Sequence, residues 1–138
     1  MEVAIHKIKH AVHIPVNSYC KSVAEAVLKT VRQNPDCVLS LAFINDTEMA
    51  VLNQQWLQRE GPTDVLSFNG EGNELGEVII NLDMVQRKLH EQGEKTKTVI
   101  TRYIVHGVLS LLGMDHKEGP RAQEIQELED TIVQKFIT

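Results

Sequence analysis

The feature that most constrains the fold is a helical repeat of apolar residues in the last third of the chain. From about Thr96 to Leu112, apolar side chains recur every three or four residues: Ile100, Tyr103, Ile104, Val108, Leu111 and Leu112. This spacing predicts an amphipathic helix with one buried stripe. We expect it to be the central helix of the fold.

Short apolar segments of the strand type precede this helix. "EVAIHKIKH" (residues 2–10) alternates weakly and indicates an edge strand, whereas "CVLSLAFI" (37–44) is a nearly continuous apolar run typical of a buried strand. "TDVLSF" (63–68) and "LGEVIINL" (75–82) are two further strand candidates. The loop "NGEGNE" (69–74) joins these two as either a hairpin or a crossover.

Four more helices are indicated by capping residues and helical spacing. The first follows Pro15 with Asn17 or Ser18 as its N-cap and ends at residues 34–35; the second has Asp46 or Thr47 as its N-cap and buries Met49, Leu52 and Trp56; the third ends at Gly93; the last begins at Pro120 and buries Ile125, Leu128, Ile132, Val133 and Phe136. The predicted fold is therefore α/β (α+β). One domain over residues 1–138 would hold a mixed sheet of about four strands packed with about five helices.

Composition narrows the possible functions. No run of about 20 apolar residues could span a membrane, and the N-terminus lacks the pattern of a signal peptide, so we expect a cytoplasmic protein without a membrane partner. The net charge of −5 argues against a globally basic nucleic-acid-binding surface but permits a local basic cleft. The scattered lysines and arginines, Arg87 among them, are interpreted individually as solvated.

The central helix ends in a histidine motif, "HGVLSLLGMDH" (106–116). His106 and Ser110 lie one turn apart at the border of the apolar stripe, and Gly113 in a left-handed conformation would let the chain return His116 toward His106. The zinc motif H-E-x-x-H-x-x-G-x-x-H has this geometry. Its general-base glutamate is replaced here by Gly107, which argues against peptide hydrolysis by that mechanism.

Two segments together resemble a known family. "HGVLSLLGMDH" is similar to H-G-x-L-H-L-x-G-x-D-H of the YbeY family of bacterial metal-dependent endoribonucleases. "PTDVLSF" (62–68) followed by "LGEVII" (75–80) is similar to that family's P-T-D-V-L-S-F and L-G-D-I segments. The resemblance implies one zinc ion per chain and cleavage of single-stranded RNA in ribosomal RNA maturation. The implied partner is RNA at the small ribosomal subunit, and no DNA partner is expected.

The chain departs from the family pattern at two positions. His106 and His116 match the first and third histidine ligands, but the second position is Ser110, and a hydroxyl is a poorer zinc ligand than imidazole. An arginine of the family pattern is replaced by Leu57. Arg59 could reach the same cleft and clamp a phosphate there.

Alternatives remain for each of these residues. His106 and His116 bind metal or form a capping or core pair, and Asp115 stabilises the turn, orients a histidine or contributes to the metal site. Ser110 is a lost ligand, a ligand acting through water, or a nucleophile activated by His106.

The cationic and strand residues also have alternative interpretations. Arg59 is a phosphate contact or a solvated residue, and Arg102 is solvated or places positive charge at the cleft mouth. Either arginine is a catalytic candidate that would hold the scissile phosphate. Ser67, or the backbone beside it, lines the cleft. Two other functions stay open: a catalytically impaired RNA- or ribosome-binding homologue that has lost a metal ligand, and a metallohydrolase of another small substrate.

Overall fold

A computed structural model describes residues 1–114 and 119–137. Within these residues, strands and helices follow one another in the predicted order. Their bounds are β1 (Glu2–Lys7), α1 (Asn17–Thr30), β2 (Val38–Ile44), α2 (Asp46–Leu57), β3 (Val65–Asn69), β4 (Glu74–Asn81), α3 (Leu82–Gln92), α4 (Thr96–Leu111) and α5 (Ala122–Ile137). The α/β class, the four strands and the five helices are confirmed.

The four strands form one mixed sheet in the order β1-β2-β4-β3. Strands β1, β2 and β4 are parallel, whereas β3 pairs antiparallel with β4, so residues 69–74 close a hairpin and not a crossover. Strands β1 and β3 are the two edges. The edge position predicted for the first strand is confirmed.

Each face of the sheet is covered by different helices. The main core joins α1, α4 and α5 to the face that carries Leu41 of β2 and Val78 and Ile80 of β4. A smaller cluster on the opposite face joins Met49 of α2 to Leu66 and other apolar side chains. The sheet is therefore the middle layer, and α4 lies at the centre of the larger core.

Helix α4 is more extensively buried than its apolar stripe predicts. From residue 99 to residue 111, all positions are buried except Arg102, His106 and Ser110, which are partly exposed. These three positions are four residues apart and form one row along the helix. This row is the side of α4 on which polar side chains reach solvent.

Gly107 lets α4 approach the sheet. A Cβ atom at this position would lie 2.4 Å from Cγ1 and 3.0 Å from Cγ2 of Val78 on β4, closer than such atoms can pack. The helix therefore contacts the strand through backbone at this residue. A glutamate at position 107, as in the metalloprotease motif, would not fit between the two elements.

The end of α4 is closed as expected at Gly113, which has φ of +78°. The backbone N–H of Met114 donates to the carbonyl of Leu109 at 2.8 Å, and that of Gly113 donates to the carbonyl of Ser110 at 3.0 Å. This pair of bonds is the Schellman arrangement that satisfies the last helical carbonyls. The left-handed turn predicted at Gly113 is confirmed.

Two predicted N-caps are wrong. Helix α1 follows Val16 without a side-chain cap, and α2 is capped by Asn45, whose side chain accepts the backbone N–H of Glu48. Asp46 has another role, because its carboxylate is occupied by Arg87. The cap is thus one residue before the earlier of the two predicted positions, directly after the end of β2 at Ile44.

The ends of α1 and α5 also differ from expectation. Helix α1 ends at Thr30, four residues early, because Arg32 takes φ of +58° and the backbone N–H of Gln33 donates to Leu28 at 2.8 Å. Helix α5 begins at Ala122, two residues after Pro120.

Trp56 was predicted to be buried, and this is wrong: 58% of it is exposed. Met49 is buried as expected, but Trp56 lies about 10 Å further along α2, above the edge strand β3, where Phe68 is its aromatic neighbour.

A polar network joins the starts of α2 and α3 at the carboxyl ends of β2 and β4. Arg87 donates two hydrogen bonds to the Asp46 carboxylate, at 2.7 and 2.8 Å. Asp83 accepts the backbone N–H of Asp46 and pairs with the His10 ring, both at 2.8 Å. The interpretation of Arg87 as simply solvated is therefore wrong, since its guanidinium is half-exposed but paired.

No helix in the described part of the chain is long and apolar enough to cross a membrane.

We predict that Gly107→Ala destabilises the protein by about 1–3 kcal/mol, because the methyl group overpacks Val78. At an ordinary exposed helical position the same change would stabilise by about 0.5–1 kcal/mol. Urea unfolding measures the difference. In the double variant Gly107→Ala/Val78→Ala, the loss should be smaller than the sum of the two single losses; an additive double variant would contradict the close approach.

We predict that stability falls in acid through the Asp46 network. Hydrogen bonding to Arg87 lowers the pKa of Asp46, and hydrogen bonding to the Asp46 backbone and to His10 lowers that of Asp83. A lowered folded-state pKa stabilises above the unfolded value of about 3.9 and is lost as pH falls through the folded value. Urea unfolding between neutral pH and about pH 3 should show less acid loss in Asp46→Asn than in the exposed control Asp36→Asn. Equal slopes would contradict the role of the pair.

Candidate active site

One cavity brings together residues from three parts of the chain. It has a volume of about 320 Å³ and lies between β3, the row of partly exposed residues on α4 and the segment that follows α2. Its lining residues are Leu57, Arg59, Val65, Leu66, Ser67, Phe68, His106 and Ser110. Four of the predicted site residues, Arg59, Ser67, His106 and Ser110, therefore meet here.

Strand β3 forms one wall of this cavity and is bonded to α4 by two side chains. The Ser67 hydroxyl donates to the carbonyl of Gly107 at 3.0 Å, and the Asn69 amide donates to the carbonyl of Leu111 at 2.8 Å. The two carbonyls are one helical turn apart. Ser67 lines the cavity, and its hydroxyl also holds the strand against the helix.

The segment carrying Arg59 is held in place by two buried asparagines. The side-chain amide of Asn53 donates to the carbonyl of Gly61 at 2.9 Å. The backbone carbonyl of Asn53 accepts the backbone N–H of Arg59 at 3.3 Å. Asn81 donates from its amide to Thr63 at 3.1 Å. These bonds fix the backbone on both sides of the loop, so Arg59 lines the cavity while its side chain remains exposed.

The turn at the end of α2 brings both Leu57 and Arg59 to the cavity. Gln58, between them, takes a left-handed conformation with φ of +52°. This supports the prediction that Arg59 reaches the cleft from which the arginine of the family pattern is missing at Leu57. The guanidinium can meet an anion at the cavity's edge.

His106 is held by a buried acid that sequence reasoning missed. Glu129 of α5 is 3% exposed, and its Oε1 lies 3.1 Å from His106 Nδ1. A carboxylate at this nitrogen assigns the proton to Nδ1 and makes Nε2 the basic nitrogen of the ring. The signal was present in the sequence, because Glu129 interrupts the apolar stripe of α5 between Ile125 and Ile132.

Arg102 lies on the other side of His106, in a second cavity of about 270 Å³. This cavity is lined by Asp64, Lys88, Arg102, Tyr103, His106, Gln126 and Glu129. Arg102 pairs with Asp130 of α5 at 2.7 Å and lies 3.9 Å from Glu129. The structure thus places Arg102 beside the acid that holds His106, in a different cavity from Arg59.

The donors available for a metal in the first cavity are the His106 ring and the Ser110 hydroxyl. The other two predicted contributors, His116 and Asp115, lie outside the described residues. Among residues 1–114 and 119–137, no three His, Cys, Asp or Glu side chains are grouped closely enough to hold a metal ion. The carboxylate at Nδ1 of His106 is the partner that metal-binding histidines ordinarily have.

A family model described as endoribonuclease YbeY matches residues 3–137. A relative named endoribonuclease YbeY from Aquifex aeolicus is 36% identical over 82% of this chain and 79% of its own length. Those from a Synechococcus strain and from Bartonella bacilliformis are 38% and 37% identical over 75% and 71% of this chain. The aligned part spans 63% and 67% of their respective lengths.

The fold has a counterpart among solved structures. The solution structure of a Thermotoga maritima protein matches 96% of this chain and 89% of its own with a TM-score of 0.59, at 22% identity. At that identity the likeness concerns the fold alone. The family match covers nearly every residue from β1 to α5, and this chain therefore belongs to the endoribonuclease YbeY family.

Proposed function

We propose that this chain is a metal-dependent endoribonuclease that hydrolyses single-stranded RNA in ribosomal RNA maturation, with one domain over residues 1–138 carrying the activity. The observation that carries the proposal is the convergence of His106, Ser110 and Arg59 on one cavity. Membership of the endoribonuclease YbeY family supports the same conclusion. The family match is a property of the whole sequence, whereas the cavity is a feature of how this chain's own side chains are arranged.

The proposed metal is zinc, with His106 and His116 as its protein ligands and Ser110 at the remaining family position. The Glu129 contact supports this assignment, because it makes His106 Nε2 the nitrogen that can coordinate. When bound, zinc supplies a Lewis acid that polarises a phosphoryl oxygen and promotes ionisation of water. Asp115 is proposed to orient a histidine of the site.

Arg59 is proposed to hold the scissile phosphate. Among the described residues that line the first cavity with His106, Arg59 carries a positive charge, and the asparagine contacts restrict the backbone of its loop before substrate binds. A planar guanidinium can donate two parallel hydrogen bonds to a phosphate. The catalytic role predicted for Arg102 stays a prediction; its pairing with Asp130 supports a role in holding α5 against α4.

The proposed partner is ribosomal RNA at the small ribosomal subunit, in the cytoplasm. The net charge of −5 favours recognition through a local site over binding through a broad basic surface. Selectivity for single strands fits a cleft at a sheet edge, which a splayed chain can enter more easily than a duplex.

We predict that the purified protein loaded with zinc cleaves a short single-stranded RNA, and that a chelator abolishes cleavage. His106→Ala should also abolish it, whereas His6→Ala, on the exposed side of β1, should not. Gel electrophoresis of end-labelled RNA measures the products. Absence of cleavage by both the unaltered protein and Ser110→His would overturn the proposal; cleavage by Ser110→His alone would identify the chain as the catalytically impaired RNA-binding homologue.

We predict that Glu129→Gln weakens zinc binding by about ten- to hundredfold, because the amide no longer fixes the His106 ring through a charged acceptor. Competition with a chromogenic chelator measures this affinity. The matched control is Glu127→Gln, two residues earlier on the same helix, whose side chain is exposed. An unchanged affinity in Glu129→Gln would show that the contact does not serve a metal.

A further inference from the structure

Helix α2 ends with an exposed aromatic residue beside the candidate active site. Trp56 is 58% exposed, and its neighbour Leu57, 40% exposed, lines the cavity that contains His106. An indole is the largest apolar side chain that can present a flat face to solvent. Its contact with Phe68 and its place next to Leu57, both of which line the cavity, distinguish it from Val51, which is equally exposed on the same helix.

Trp56 is oriented by an aromatic contact that leaves much of its ring exposed. The ring centroids of Trp56 and Phe68 are 6.0 Å apart, and the ring planes meet at 63°, an edge-type arrangement. Such a contact fixes the ring without covering it as a parallel stack would. Phe68 itself lines the cavity, so the two rings extend from the site to the surface.

The cation proposed to hold the scissile phosphate lies close to Trp56 along the chain. Arg59 follows Trp56 by three residues, and the left-handed Gln58 turns the backbone between them. A flat aromatic face and a guanidinium on the same short segment are the combination that binds single-stranded nucleic acid, since the base stacks while its phosphate is neutralised. The chain's net charge of −5 makes such local contacts more important than general attraction.

We propose that Trp56 is a stacking platform for one unpaired base of single-stranded RNA whose phosphate is held at Arg59. This inference rests on the proposed endoribonuclease function and names how that site selects its substrate. A base in a duplex is already stacked and cannot lie on the indole, so the platform favours single strands. Trp56 would act as a specificity-determining residue that positions the chain for cleavage at His106.

The test uses a built-in probe, because Trp56 is the one tryptophan in the sequence. A short adenine-containing RNA should change the intrinsic fluorescence of the protein in a saturable way as it binds. A chain of the same length with abasic sites keeps the phosphates and removes the bases. We expect it to bind about tenfold more weakly and to leave the fluorescence unchanged.

Variants separate stacking from general binding. In fluorescence anisotropy with labelled RNA, Trp56→Ala should bind about tenfold more weakly, Trp56→Phe should recover most of the affinity, and Val51→Ala should bind as the unaltered protein does. Circular dichroism verifies that each variant is folded. Equal affinity in Trp56→Ala, or RNA binding without a fluorescence change, would overturn the inference and would favour a protein partner for this face.

Cleavage measured in the same samples distinguishes the two proposals. RNA binding with the fluorescence change but no cleavage contradicts the enzymatic function and supports the platform. Cleavage without any involvement of Trp56 contradicts the platform and leaves the endoribonuclease function intact.

Discussion

The rest of the structure depends on the close contact between α4 and the sheet at Gly107. From residue 99 to residue 111, this helix is enclosed by neighbours on almost every side, and its remaining accessible surface is a single row of residues. That row contains Arg102, His106 and Ser110. Close packing thus leaves this row as the part of α4 whose side chains can contact a ligand. The row borders two cavities, and His106 lines both.

Local pattern was sufficient to predict most of the fold because each element has a distinct period. The helical spacing of α4, the continuous apolar run of β2 and the glycine after α3 are signals carried by adjacent residues. The errors occurred where a distant residue decides the outcome. Asp46 is an ordinary N-cap candidate in isolation, yet Arg87 on α3 takes its carboxylate and Asn45 caps the helix instead.

Trp56 shows the same limit in another form. Trp56 and Met49 are spaced so that they lie on the same face of the helix, and for this reason Trp56 was predicted to be buried with Met49. Burial also requires a partner surface, and the sheet ends at β3, beneath this part of α2. Where a sheet ends cannot be derived from the period of the helix above it.

The candidate site was predictable in its motif residues but not in its supporting contacts. His106, Ser110, Ser67 and Arg59 were identified from motifs, and they line one cavity. Glu129 was missed, although an acid in an apolar helical stripe is a visible signal, because its partner is 23 residues earlier in the chain. The asparagines that hold the Arg59 loop give no local signal of that role.

The two hydrogen bonds from β3 to α4 have a consequence for how the hairpin tolerates change. Ser67 and Asn69 are two residues apart on an extended strand, about 6.8 Å, and Gly107 and Leu111 are four apart on a helix, about 6 Å. The two distances nearly match, so the strand can hydrogen-bond to the helix at two successive turns. A slip of β3 by one residue would turn both side chains to the opposite face. The position of the cavity wall is therefore fixed at the helix as well as by the pairing of β3 with β4, so a change in the hairpin turn that keeps this pairing leaves the wall in place.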